Sequence, residues 1–277
     1  MSPSLNFILL ASLIPALFSV SSYLLKLITK GGAVAVFLAS TGAYFGLGLG
    51  AFAYVAIVFS LSSFATLYRY AEKLKLKAAE SNHGARTFRK VIGAAGPGGI
   101  IGWAVFLGWI PALIGSLGFA ASIATITSDT WASEFGILSR KEPRMILHPR
   151  QKVSPGISGA VSLRGELASL SGAVTSIAVA YYVGLFQSST VAYIAALACF
   201  SAALISEHLD SALGGSIQEA YRCDACDQVT DKRVHECGKL TVLVRGSRLV
   251  TNTAVNFIST LIGGLLAPAL FYFFLVL

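Results

Sequence analysis

The sequence predicts an all-α fold: a polytopic membrane bundle of about eight transmembrane helices, forming one integral membrane domain over residues 1–277. Three observations predict it. Hydrophobic residues make up 55% of the chain, charged residues only 12%, and mean hydropathy is +0.72, whereas soluble domains carry about 25% charged residues. Apolar runs recur along the chain, and about 20 apolar residues suffice to cross a bilayer. The 21 Lys and Arg, against 13 Asp and Glu, gather in short segments between those runs and leave a net charge of +8.

The runs fall near 5–25, 31–48, 51–67, 91–109, 111–127, 167–186, 189–208 and 254–276. Val91 to Thr127 is too long for one helix, and Pro111 marks the break, because proline removes a helix hydrogen bond. Gly42, Gly46 and Gly50 have GxxxG spacing, which predicts close helix packing. The opening MSPSLNF lacks the positive stretch of a cleavable signal, and Lys26 and Lys30 instead follow the first run; this favours an N-terminus outside. No internal repeat, low-complexity tract or separate soluble domain is visible.

Three loops remain, near 68–90, 128–166 and 209–252. With eight spans, all three and the Lys26/Lys30 turn fall on the same side, which the positive-inside rule makes cytoplasmic. The basic excess therefore reflects loop orientation, and no nucleic-acid partner is expected. Four clustered cysteines are too few for a disulfide scaffold.

Ser128–Gly136 reads SDTWASEFG at the end of the fifth run. If helix continues, Asp129, Ser133 and Gly136 share one face, and Thr130 and Glu134 the next. Carboxylates at a span's end suit Mg²⁺, with phosphates completing the shell; the alternative is a solvated helix end capped by Asp129. The loop that follows holds His148, Arg150, Lys152, Ser154, Gly156, Ser158 and Gly159, with no acid from Pro143 to Gly165. Such a loop cradles phosphate or lies on anionic lipid. Glu207, Asp210, Gly214 and Gln218 form one helical stripe, and Asn252, Asn256, Ser259 and Gly263 another. Each stripe suits a polar cavity or helix–helix hydrogen bonding. Arg86, Arg89 and Lys90 precede a glycine-rich stretch, Gly93 to Gly99, that is either a second phosphate contact or a packed helix start; no P-loop is present. Cys223, Cys226, His235 and Cys237 have the composition of a structural Zn²⁺ site; the other reading is reduced thiols without metal. Cys199 sits mid-span and is most simply packing.

SDTWASEFG, Pro143-Arg144, Lys152 to Ser162, Leu209 to Gln218, the Cys-x-x-Cys, His235-x-Cys237-Gly238 and Asn252 with Val255-Asn256 together resemble the signature of one membrane family, in order and over nearly the whole chain. It is the family of phytyl-phosphate kinase and the animal transmembrane protein 19 group. The chain departs from it at Ala94, where members often carry Asn, and at Thr251 and Thr253, where they often carry acids. The resemblance implies a prenyl-phosphate kinase that passes a phosphoryl group from a nucleoside triphosphate, CTP favoured, to an isoprenyl monophosphate at the membrane. On that reading Asp129, Glu134 and Asp210 hold Mg²⁺ and the triphosphate. Lys152, with the backbone near Ser154, Gly156, Ser158 and Gly159, takes phosphate, and Arg86 or Arg89 takes the acceptor. Ser133, Gln218, Asn252 and Asn256 position ligands. The alternatives are a transporter, a lipid-binding scaffold, or a CTP-dependent cytidylyltransferase.

Overall fold

A computed structural model describes residues 5–186, 190–231, 233–235 and 237–277. The first residues of the MSPSLNF opening and Ser189, where the seventh run begins, lie outside the described residues. Helices α1 (Leu5–Leu24), α2 (Lys30–Leu67), α4 (Phe88–Phe106), α5 (Ala112–Gly136), α6 (Leu163–Tyr182), α7 (Thr190–Ser216) and α8 (Asn252–Val276) form the bundle, and α3 (Tyr70–Lys75) is a short surface helix. Of the described helices, α2, α5, α7 and α8 are long and apolar enough to cross a membrane.

α2 spans 38 residues, about 57 Å if straight, yet it contains two of the predicted runs. Gly48 lies between them at φ 81°, ψ −173°, a conformation open to glycine because it has no Cβ. Val36 and Phe59 pack in one apolar cluster, although a straight helix separates residues 23 apart by about 35 Å. α2 is therefore a hairpin of two helical arms folded at Gly48. The predicted break at Pro111 is also present: α4 ends at Phe106 and Pro111 caps α5.

Packing is close because the contact residues are small. A Cβ on Gly42 would sit 2.7 Å from the Gly99 carbonyl oxygen of α4, and Gly46 lies against Gly102, so this glycine stripe packs α2 on α4. The glycines from Gly93 to Gly99 pack likewise against Thr253, Ile123 and Ala39. Alanines of α2, α5, α6 and α7 fill the core, and Cys199 is buried among them. The Tyr54 hydroxyl is shared with Ser176 (2.6 Å) and donates to the Ala120 carbonyl (3.0 Å), so this buried polar group is satisfied.

The connections 25–29, 68–87, 137–162 and 217–251 lie together at one end of the bundle. Ile28 bridges to Arg86, Ala78 touches Gly156, Gly159 lies against Gly215, and Lys77 reaches Gln228. Every Lys and Arg in the sequence falls in or beside these segments. The sequence predicts no strand here, but two small antiparallel sheets form: β2-β1-β3 from Arg144–Met145, His148–Lys152 and Ala160–Val161, and β5-β4-β6 from Ala220–Cys223, Gln228–Thr230 and Val242–Arg245. Strands of two to five residues leave too short an alternation to read.

Candidate active site

Up-and-down topology makes α5 and α7 end, and α4, α6 and α8 begin, at the loop-bearing end of the bundle. A cavity of about 510 Å³ lies among those five ends. Its two sides differ in charge because helix ends differ. N-termini present unpaired N–H groups and a partial positive charge, which favours anions.

The acidic side comes from α5 and α7. α5 stays helical to Gly136, past the predicted end at Thr127, and so carries Asp129, Ser133 and Glu134 to the cavity wall. Asp129 lies within coulombic reach of Asp210, Glu207, Arg86 and Glu134. Glu207 lines the cavity and is 2% exposed. Its Oε2 is paired with His208 Nδ1 at 3.0 Å, a nitrogen that also meets the Leu204 carbonyl, while His208 Nε2 pairs with Glu166 at 3.1 Å. Asp210 accepts from the Ser259 hydroxyl of α8 at 2.6 Å. Asn256, one turn earlier on α8, keeps a buried Oδ1 without a partner and lines the cavity. Buried polar atoms are normally satisfied, so the unpartnered Asn256 Oδ1, in a wall that also carries Asp129 and Glu207, marks a place for a cation or a donor.

The anion-favouring side comes from the helix starts. Thr87, Ser162 and Thr251 cap α4, α6 and α8 with their side-chain oxygens. Arg89, Lys90, Ser162, Gly165, Thr251, Asn252 and Thr253 line the cavity beside those caps. Arg86 is strapped in place by its backbone, which bonds Leu27 and Thr29 of the α1–α2 turn, and its guanidinium lies 5.6 Å from the Phe59 ring. Burial lowers the Arg86 pKa, while Glu134 and Asp129 oppose that shift. Gly156, Ser158 and Gly159 form the wall from the 137–162 connection. Gly159 has φ 81° and abuts the Gly215 backbone, so a side chain is excluded there twice over. Gln218 Nε2 donates to Ser158 Oγ at 2.7 Å, and Arg245 donates to the carbonyls of Ser158 and Gly214 at 3.1 and 2.9 Å. These bonds fix the turn to the end of α7.

Five expectations need correction. Asp210 is not itself part of the cavity wall, to which α7 contributes Glu207 and Ser211; its carboxylate is turned to Ser259 of α8. Lys152 does not face the cavity; it is exposed on β2 and pairs with Glu142 at 3.0 Å, because the strand turns it outward. Ser154 likewise lies off the cavity wall, although its neighbour Pro155 is on it. Glu134 lines the cavity, but its Oε2 is 2.6 Å from Lys73 Nζ, and that fully buried ammonium also donates to the Ala65 and Thr66 carbonyls. Its charge is therefore already matched. Gln218 acts through Ser158 and is not itself part of the wall. Residues that the sequence does not single out are Lys73, hidden in a basic surface segment, and the Glu166–His208 pair, which joins α6 to α7.

The ligand atoms of Cys223, Cys226, His235 and Cys237 lie within 4.8 Å of one another at the cavity rim. The hydrogen bond from His235, together with the Lys239 backbone, holds the Cys237 thiol down to about 6.

Comparison with known proteins agrees with this architecture. The chain is 28% identical to Protein PGR of Arabidopsis thaliana, covering 92% of this chain and 93% of that one. It is 30% identical to the uncharacterized membrane protein sll0875 of Synechocystis, over 79% of this chain and 82% of the other. It is 29% identical to the chloroplastic Protein VTE6 of Arabidopsis thaliana, over 69% and 57%. No solved structure matches the chain. The family model described as Integral membrane protein DUF92 matches residues 13–264, nearly the full length of the bundle and every wall of the cavity, and the chain belongs to that family.

Proposed function

We propose that this protein is a prenyl-phosphate kinase, transferring a phosphoryl group from a nucleoside triphosphate, CTP by preference, to an isoprenyl monophosphate such as phytyl or geranylgeranyl phosphate. One observation carries the reading. Buried carboxylates and three helix N-termini with Arg86 and Arg89 face each other across one cavity at the charged end of a membrane bundle. Polyphosphate bound with Mg²⁺ needs both kinds of wall at once. The resemblance to phytyl-phosphate kinase supports the same substrate class, and the clustered basic residues favour a cytoplasmic side for the cavity by the positive-inside rule.

Asp129 and Glu207 on the wall, with Asp210 close by, offer hard oxygen donors that fit Mg²⁺, and the buried crowding of these like charges beside the unpartnered Asn256 Oδ1 is the observation that favours it. When bound, the ion neutralises charge on the transferred phosphoryl group. The rest belongs to the chain. Arg86 and Arg89, with the N–H groups at the starts of α4, α6 and α8, hold phosphate oxygens. The Gly156–Gly159 turn closes over the donor, and Asn252 and Asn256 position it by hydrogen bonds. An acceptor phosphate oxygen, already anionic, attacks the γ-phosphorus. The bond from that phosphorus to the bridging oxygen breaks, and the nucleoside diphosphate leaves with the electron pair. No general base is required, so alignment and charge stabilisation supply the rate. The prenyl tail stays in the lipid phase, which explains why the site opens at a membrane end.

The test is purified protein with labelled CTP, ATP, GTP or UTP and geranylgeranyl or phytyl phosphate. Prenyl diphosphate and nucleoside diphosphate are expected in equal amounts. Release of pyrophosphate identifies a cytidylyltransferase, and no turnover with any donor overturns the enzyme reading in favour of transport or lipid binding.

A further inference from the structure

We infer that Cys223, Cys226, His235 and Cys237 bind one Zn²⁺ ion that staples the rim of the cavity. This stands on its own geometry, whether or not the kinase reading holds.

Four potential ligands converge from two tight turns. Cys223 ends β4, and Cys226 follows on a turn in which the N–H groups of Cys226 and Asp227 both donate to the Cys223 carbonyl. His235 and Cys237 sit on a second turn closed by Gly238 N–H to the His235 carbonyl at 2.9 Å. In each turn the residue after the second ligand has positive φ, 53° at Asp227 and 79° at Gly238. The two halves thus repeat one backbone device that points a pair of ligands the same way. Cys223 Sγ and Cys237 Sγ are 3.6 Å apart, and a His235 ring nitrogen is 3.1 Å from Cys237 Sγ. Zn–S bonds of about 2.3 Å in a tetrahedron put sulfurs about 3.8 Å apart. A disulfide needs about 2.05 Å, and all four cysteines of the chain are free.

The donor set selects the metal. Three sulfurs and an imidazole suit zinc; hard cations prefer oxygen, and iron–sulfur clusters take mainly cysteine. Four protein ligands leave no open position, so the ion is structural. The thiols bind as thiolates and release their protons to solvent.

The local fold also needs a staple. The sheet β5-β4-β6 exposes Val229, Val242 and Val244, and Val234 and Leu240 beside it are exposed as well. Such a unit lacks a core of its own, and small coreless units are commonly closed by metal. Gln228 to Asp231 and His235 line the cavity, so the metal fixes that wall.

The test is metal analysis of the full-length protein purified in detergent from zinc-supplemented cells. Wild type is expected to hold about one zinc per chain. Cobalt exchange should give the charge-transfer and d–d bands of a tetrahedral thiolate site. Cys226→Ser should lose most of the zinc, Cys226→His should keep it, and Cys199→Ser should match wild type. If Cys226→Ser fails to fold, wild type decides alone. Zinc-free folded wild type overturns the proposal, as does a Cys223–Cys237 disulfide or zinc that survives unchanged in a folded Cys226→Ser.

Discussion

Two groups of buried charge stand side by side at the cavity, and they are satisfied in opposite ways. Around Lys73 the books close internally: one ammonium, one carboxylate from Glu134 and two backbone carbonyls from the end of α2. Around Asp129 they do not. Three carboxylates, Asp129, Glu207 and Asp210, meet the Ser259 hydroxyl, a His208 already shared with Glu166, and the charge of Arg86. Burial without partners costs free energy, so a chain that keeps the second group keeps it for something that binds there. The first holds α2 and α3 against α5; the second is where a ligand belongs.

The largest effect that tests this contrast is on stability. Lys73→Met leaves Glu134 buried and unmatched, and breaking a buried pair in this way costs about 3–5 kcal/mol. Glu134→Gln should cost less, because Lys73 retains its two carbonyl acceptors. A Lys73→Met/Glu134→Leu double variant should regain part of the loss. Denaturation midpoints in detergent measure all three. Should Glu134→Gln instead abolish turnover at unchanged stability, the two clusters are one site, and Glu134 is a metal ligand after all.

Next come the carboxylates of the second group. Asp129→Asn and Glu207→Gln should each lower kcat about 10²–10³-fold, the scale for losing one group that stabilises transition-state charge, while leaving the denaturation midpoint equal or higher, since each removes a like charge from a buried set. The contrast sharpens further with Mg²⁺ alone. A ligand at 100 times its Kd stabilises by about 2.7 kcal/mol. Mg²⁺ should raise the midpoint of wild type and of Lys152→Ala but not of Glu207→Gln, and an equal rise in all three removes the cation site.

The unmatched cluster was largely legible in the sequence, and the matched one was not. Asp129, Glu207 and Asp210 stand out because carboxylates at the ends of apolar runs have no cheap alternative, and helical spacing puts Glu207 and Asp210 on one polar stripe. Lys73 gives no such signal: it is one of several lysines on a short amphipathic stretch, and only the hairpin at Gly48 brings that stretch over α5. The eight apolar runs all appear as helix because their hydrophobicity is continuous. What periodicity cannot show is chain direction at a common point. That three helices start around one cavity where others end follows from counting crossings, and it supplies the anion-favouring wall that no motif announces.

The smallest expected effect is the one that most separates reading by residue type from reading by position. Lys152 has the right chemistry for a phosphate contact and stands beside the glycine-serine turn in sequence. β2 pairs with β1 in a register that sets Lys152 opposite Arg144, and every residue of that strand is exposed. Its Glu142 partner is as exposed as it is, and a surface pair of this kind contributes about 0–1 kcal/mol. Lys152→Ala should therefore change neither the nucleotide KM nor kcat by more than about twofold, a shift of about 0.4 kcal/mol, whereas Arg89→Ala, beside the α4 start on the cavity wall, should raise a phosphate-ligand KM about tenfold. A tenfold rise in nucleotide KM for Lys152→Ala instead would mean that the 137–162 connection swings inward when the donor binds, bringing to the phosphates a charge that now points to solvent.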